Sequence, residues 1–215
     1  MKAATRIYVD VDDVLADATE TLIGLASDMF ATNVAYENLR SFDLGESFGL
    51  SEAQRDRLLD AAHEDRVVES MSVIEGAPQV ISDWVARGFE IAIVTGRPPV
   101  TLGATARWLA RAGIPYATLV SVDKYGRQSE VAGAITLESL RGSSFSFAIE
   151  DSLAMARFLV EEAGVPVLLF DRPWNRDENI LGRDTRARIR RVGSWQEISR
   201  IAGGDPASWP FEADA

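Results

Sequence analysis

Three aspartates, Asp10, Asp12 and Asp13, close the apolar run at the start of "RIYVDVDDVLAD", residues 6–17. Carboxylates this close repel one another and raise each other's pKa unless a cation or a hydrogen-bond donor compensates, so the cluster requires a partner. Candidates lie farther along the chain. "TGRP" (Thr95, Gly96, Arg97, Pro98) closes the run "FEIAIVT", Lys124 follows the weaker run "YATLVSV", and Glu150 and Asp151 close "FSFAIED". Carboxylates from two separate strands, with no cysteine or histidine beside them, form a hard oxygen site suited to Mg²⁺ rather than zinc. A divalent cation and a lysine would neutralise the acidic cluster, and would equally neutralise a phosphate.

The residue types fit phosphoryl transfer. An aspartate such as Asp10 can attack phosphorus and form an aspartyl-phosphate, which splits one hard step into two. A carboxylate two residues along a strand points to the same side, so Asp12 is placed to protonate the leaving oxygen and then to deprotonate the attacking water. The hydroxyl of Thr95, the backbone N–H of Gly96 and the ammonium of Lys124 would bind the phosphate oxygens as charge redistributes in the transition state. Arg127, three residues beyond Lys124 in "VSVDKYGR", is the alternative cation for that last role.

These residues must be brought to one place. The apolar runs 6–11, 89–95, 145–151 and 165–171 read as buried strands of a parallel sheet, with 116–122 a weaker fifth. Helical patterns separate them at 77–88, 100–113 and 151–164, each closed by a glycine suited to a helix C-terminus. Strands alternating with helices imply right-handed βαβ units and an α/β fold with a doubly wound, mainly parallel, Rossmann-like sheet, which binds ligands at the carboxyl ends of its strands. The interval 16–75 has helical periodicity and no convincing strand. It reads as a helical cap inserted after the first strand, with "SFDLGESFGLS" (41–51) a loop between cap helices. Residues 1–15 and 76–205 then form the core domain, and 206–215, in the closing stretch "GGDPASWPFEADA" with its two prolines, two glycines and acidic residues, a loosely ordered tail.

Composition narrows the partners. The chain has 215 residues, 47% of them hydrophobic, enough to bury a substantial core. A formal net charge of −11 repels polyanions, which argues against a nucleic acid polymer as partner while leaving room for a small phosphorylated metabolite held by a few local cations. No stretch approaches the roughly 18 apolar residues of a membrane span. The first ten residues are too soon charged for a secretion signal, so a cytoplasmic location is expected, and nothing fixes an oligomeric state. With no cysteine, thiolate sites and cysteine nucleophiles are excluded.

The ordered set "DVDDV", "IAIVTGR", Lys124 and "AIED" resembles the four motifs of the haloacid dehalogenase superfamily of phosphohydrolases, over nearly the whole chain. The resemblance implies nucleophile Asp10, acid/base Asp12 and phosphate contacts from Thr95 and Lys124. It also implies Mg²⁺ held by Asp10, by the backbone carbonyl of Asp12 and by Asp151, with Glu150 a further candidate. The interval 16–75 is similar to the family's first type of cap. "DVDDVLAD" with "VPVLLFDRPWNR" looks most like the 5'(3')-deoxyribonucleotidase branch, whose cap aromatics read a base, and Phe42 and Phe48 are the candidates here.

Other readings fare less well. A phosphoacceptor receiver carries its acidic pair, aspartate, threonine and lysine in a different order. A catalytically silent binding module of the same fold would not need Asp10 and Asp12. Phosphonate hydrolysis would call for a cap lysine, which 16–75 lacks. Neither G-x-G-x-x-G nor G-x-x-x-x-G-K-[ST] is present. Among secondary candidates, Arg97 orients the loop through a carboxylate or touches substrate, and Trp174 packs the edge of the site or gates it. Asp13 caps the next segment, His63 is a surface residue, and Trp84 and Trp108 belong to the core.

Overall fold

The computed structural model describes residues 5–126 and 132–203. Arg127 and the expected tail 206–215 lie outside them. Six parallel strands are found among the described residues: β1 (Arg6–Val9), β2 (Glu90–Thr95), β3 (Thr118–Ser121), β4 (Phe147–Glu150), β5 (Val167–Phe170) and β6 (Ile189–Val192). Their order is β3-β2-β1-β4-β5-β6. The register pairs Val9 with Ile93 on one side and with Ile149 on the other. The five expected strands are present, each one to three residues shorter in all than its apolar run. The sequence reading missed β6, because an edge strand reading "IRRV" is half-solvated and carries arginines where a central strand carries an apolar run.

Alternation along the strands divides the core in two. Ile7, Val9, Ile91, Ile93, Phe147 and Ile149 face a layer that includes α5 (Ala77–Ala86), α6 (Leu102–Arg111) and α9 (Trp195–Ala202), where Trp84 and Trp108 are buried as expected. Tyr8, Ala92, Val94, Ala148, Val167 and Leu169 face the opposite layer, built on α7 (Leu153–Glu161). Helices on both faces make the sheet doubly wound. Gly88, Gly113 and Gly164 take φ of 87°, 70° and 70° just beyond α5, α6 and α7, the left-handed turn a glycine makes at least cost.

Between β1 and α5 the chain forms α1 (Ala18–Phe30), α2 (Leu44–Phe48), α3 (Glu52–Ala62) and α4 (Asp65–Ser70). The segment 41–51, expected as a loop, contains α2, because the Asp43 carboxylate accepts the Glu46 N–H at 3.0 Å and caps a turn. Helix α3 opens with a Ser51/Gln54 capping box and stops at His63, so the periodicity of 51–71 resolves into two helices rather than one. Ala26, Leu39, Phe48, Leu50 and Leu58 form a third, separate apolar cluster. The chain enters and leaves this region side by side: Ala16 bridges Val73, and the Asp17 and Ile74 N–H groups donate to Ser72 and Leu15. Helix α4 is fastened to α6, with Arg107 at 2.8 Å from both Asp65 and Glu69. No helix among the described residues is long and apolar enough to cross a membrane.

Candidate active site

A parallel sheet delivers every strand's carboxyl end to one edge, and β1, from which the chain departs to β2 on one side and finds β4 on the other, marks the switch point where a crevice opens. Asp10 follows β1 there, its N–H bonded to the Ile149 carbonyl at 3.0 Å. Lys124, three residues past β3, reaches back with Nζ 2.7 Å from Asp10 Oδ1 and 2.6 Å from Glu150 Oε1. The Tyr8 ring lies beneath the same ammonium at 5.3 Å, and its hydroxyl donates to Glu150 Oε1 at 2.8 Å. Glu150 Oε2 accepts the N–H groups of Asp151 and Ser152, both at 3.1 Å. Both Glu150 oxygens are therefore committed inside the protein. Asp151 Oδ2 accepts the Trp174 indole N–H at 2.9 Å, and the Asn175 amide binds the Asp151 carbonyl at 2.7 Å, which fixes the loop after β5 against the loop after β4.

Oxygen atoms of Asp10, Glu150 and Asp151, all buried, lie within 4.8 Å of one another. Burial pushes the Asp10 carboxyl up to about 8 although Lys124 opposes the rise, with Glu150 and Asp12 adding to it. Burial likewise lifts Asp151 well above the usual carboxylate range, with Glu150, Asp13 and Asp10 adding to the rise. Burial works against the charge on Lys124, yet Asp10 and Glu150 together hold its pKa above the usual lysine value. One lysine leaves the buried carboxylates short of positive charge, and their all-oxygen donor set fits a hard divalent cation such as Mg²⁺.

Asp12 is not one of that trio and is bound by an arginine instead. Arg97, 3% exposed, donates from Nε to both Asp12 carboxylate oxygens (3.0 and 3.1 Å) and from Nη2 to Oδ1 at 2.6 Å, while its Nη1 reaches Thr105. Arg97 thus pairs with a carboxylate, the first of the two roles expected for it. Asp13, at φ 56°, accepts the Thr19 N–H and hydroxyl at 3.1 and 2.6 Å, and so caps α1 from outside the helix, as expected. Arg172 secures this turn by donating to the Asp13 carbonyl. Thr95 is fully buried, its Oγ1 accepting the Arg97 N–H at 3.1 Å. A Cβ at Gly96 would come within 3.1 Å of the Tyr125 ring and 3.3 Å of the Lys124 side chain, so a larger residue there would have to push one of them aside.

A cavity of about 610 Å³ opens above these groups, walled by the strand ends and by residues from the α1–α4 region. Asp10, Asp12, Gly96, Arg97 and Asp151 line it, as do Phe42, Phe48 and Trp174; Thr95, Lys124 and Glu150 lie beneath. The two phenylalanines differ. Phe42 is 46% exposed and tilts against Tyr125 with ring centroids 5.3 Å apart, whereas Phe48 is 5% exposed and packed into the third apolar cluster. His63, expected at the surface, instead lines the cavity, and burial lowers its pKa. Tyr125 and Tyr8 were not singled out from the sequence. Tyr125 was adjacent to a singled-out residue, but Tyr8 sits inside an apolar run, and its hydroxyl gains a role only once β4 lies beside β1.

Comparison with known proteins accords with this arrangement. The family model described as "5' nucleotidase, deoxy (Pyrimidine), cytosolic type C protein" matches residues 4–143. The chain is 22% identical over 192 residues to "Putative nucleotidase BH1399" of Halalkalibacterium halodurans, covering 89% of each. It is 21% identical over 195 residues to the similarly named YqfW of Bacillus subtilis, covering 89% of this chain and 90% of that one. Among solved structures, the haloacid dehalogenase-like hydrolase SP0104 of Streptococcus pneumoniae superposes with a TM-score of 0.63 at 12% identity, over 93% of this chain and 99% of that one.

Proposed function

The chain belongs to the 5' nucleotidase, deoxy (pyrimidine), cytosolic type C family, within the haloacid dehalogenase superfamily of phosphohydrolases, and from that premise we propose a metal-dependent phosphatase acting on a small phosphomonoester, a nucleoside monophosphate or deoxynucleoside monophosphate, through an aspartyl-phosphate. The observation that carries the reading is the buried meeting of Lys124 with Asp10 and Glu150, beside Asp151, at one edge of the sheet.

In this reading Asp10 Oδ attacks phosphorus; the P–O bond to the leaving group breaks as the new O–P bond forms. Asp12 delivers a proton to the leaving oxygen and then removes one from the water that hydrolyses the acyl phosphate. Arg97 holds the Asp12 carboxylate in the one orientation that serves both transfers. Lys124, the Thr95 hydroxyl and the Gly96 N–H receive the phosphate oxygens. Asp10, the Asp12 carbonyl and Asp151 would hold Mg²⁺, and Glu150, both of whose oxygens are engaged, serves to fix Lys124. The cation, when bound, offsets the charge of carboxylates and phosphate and polarises the P–O bonds. Residues 16–75 act as the cap that covers the strand ends and excludes water during reaction.

The test is a panel of phosphomonoesters, nucleotides included, assayed with Mg²⁺ and with excess chelator. Hydrolysis confined to the Mg²⁺ arm is expected. Equal turnover in chelator would remove the metal from the reading, and turnover of no ester would replace the enzyme by a silent binding module.

A further inference from the structure

The segment "RPWN" (172–175), just past β5, holds Asp151 at two points. The buried Asn175 donates from its side-chain amide to the carbonyls of Asp151 and Phe170, each at 2.7 Å, and so ties down the backbone there. Trp174 holds the side chain: its indole N–H donates to Asp151 Oδ2 at 2.9 Å. An indole donates a single hydrogen bond and accepts none, so the contact fixes the rotation of the carboxylate about one oxygen. The rest of the Trp174 ring is placed elsewhere. It packs against the apolar cluster of Ala26, Leu39, Phe48, Leu50 and Leu58, all from the 16–75 region. There it also meets the Tyr36 ring edge to face, with centroids 5.6 Å apart and planes at 74°. Tyr36 lies on the connection between α1 and α2, and its hydroxyl accepts from Arg172 Nη1 at 3.4 Å. One side chain thus has its donor on a candidate metal ligand and its ring in the apolar cluster of the cap region. A phenylalanine would fill the second place without serving the first.

Resting on the metal-dependent reading above, we propose that Trp174 is a positioning residue for the cation, and that through it cation binding and the seating of the cap reinforce each other. The ring contacts set where the indole N–H lies, the N–H sets the Asp151 carboxylate, and that carboxylate is one of the groups proposed to hold Mg²⁺. A partner that orients a metal ligand from behind carries a large share of the affinity, because an unheld carboxylate must be ordered at the moment of binding. The link runs both ways. Whatever draws Tyr36 away from Trp174 loosens Asp151, and a cation on Asp151 favours the position of Trp174 against which Tyr36 packs.

The test is a Mg²⁺ titration of the full chain without substrate, read by calorimetry and as the rise in Tm, in the wild type, Trp174→Phe and Tyr36→Ala. Trp174→Phe keeps a ring against the cap and deletes the donor, so Kd for Mg²⁺ should rise by ~10–10²-fold while Tm in chelator changes little. Tyr36 is none of the proposed ligands, yet Tyr36→Ala should raise Kd severalfold in the same direction. The Mg²⁺ concentration for half-maximal turnover should move with Kd in both variants. Wild-type Mg²⁺ affinity in Trp174→Phe would overturn the positioning role and leave the hydrolase standing, and a lowered Tm in chelator beside it would assign the indole to packing. Weakened affinity in Trp174→Phe with unchanged affinity in Tyr36→Ala would overturn the coupling to the cap. Should Trp174→Phe fail to fold, Tyr36→Ala decides alone, unchanged affinity again overturning the proposal. A wild-type chain that binds no Mg²⁺ would overturn the metal reading and this inference together.

Discussion

Arg97 grips Asp12 with Nε 3.0 and 3.1 Å from the two carboxylate oxygens and Nη2 2.6 Å from one of them, a fork that leaves the carboxylate a single orientation. The arginine is itself held by Thr105 and by the Met71 sulfur, so the position of Asp12 is set from β2, α6 and the exit of the cap region together. Arg97→Gln should lower kcat by ~10–10²-fold, the scale of a misplaced catalytic group, with a smaller change in KM. Arg97→Lys should recover only part, because an ammonium cannot fork. Steady-state kinetics on one nucleotide decides; a loss confined to KM would place Arg97 in binding instead.

The two aspartates of "DVDD" should fail differently. Asp10→Asn removes the attacking oxygen and a charged metal ligand, so turnover should vanish while the circular dichroism spectrum is unchanged. Asp12→Asn keeps the backbone carbonyl proposed as a ligand, so Mg²⁺ affinity should survive while both chemical steps slow by ~10²–10⁴-fold. Wild-type turnover in either variant would refute its assigned role.

Phe42 and Phe48 were equal candidates for reading a base, and the fold separates them. Phe48→Ala empties a buried site and should cost about 3–5 kcal/mol of stability, read as a drop in Tm. Phe42→Ala should leave Tm nearly unchanged and raise KM for a nucleotide by the ~1–3 kcal/mol of a base–aromatic stack, with little effect on a sugar monophosphate that lacks a base. Tyr125, its partner at 5.3 Å, should behave like Phe42. Equal KM changes on both esters would assign Phe42 to packing.

Metal and pH should act on stability through the same carboxylates. The folded-state pKa of Asp10 is raised to about 8 from an ordinary 3.8, so between those values the folded, metal-free chain holds a proton that the unfolded chain has lost. The unfolded state then binds fewer protons, and stability falls as pH rises through that window. Mg²⁺ held by Asp10 as proposed would compete with that proton. Thermal unfolding in chelator should show Tm declining from pH 6 to pH 8, and added Mg²⁺ should raise Tm more at pH 8 than at pH 6. A metal-induced shift of equal size at both pH values would exclude this linkage.

Much of the scaffold was legible in the chain. Buried parallel strands are continuous apolar runs, and helices between them close on glycine, so the alternation and the direction of the strands follow from local chemistry. Because parallel strands end together, the acidic, threonine, lysine and acidic strand ends could be assigned to one edge before any coordinate was known. The edge strand β6 escaped this logic, because solvation on its open side removes the apolar run that marks a central strand.

What the chain alone could not decide is which atoms meet. Arg97 beside Asp12, the Lys124 ammonium and the Tyr8 hydroxyl on Glu150 Oε1, and Phe42 against Tyr125 all join segments far apart in sequence. Periodicity reports the face of its own element on which a residue lies, and local spacing reports the turn it makes. A hydrogen bond of 2.6 Å between residues 85 apart depends on how two strands and their loops pack, and on the burial that makes an unpaired charge costly. Sequence therefore determined the set of groups and the edge they share, while tertiary packing decided which carboxylates are buried against lysine and which is held by arginine.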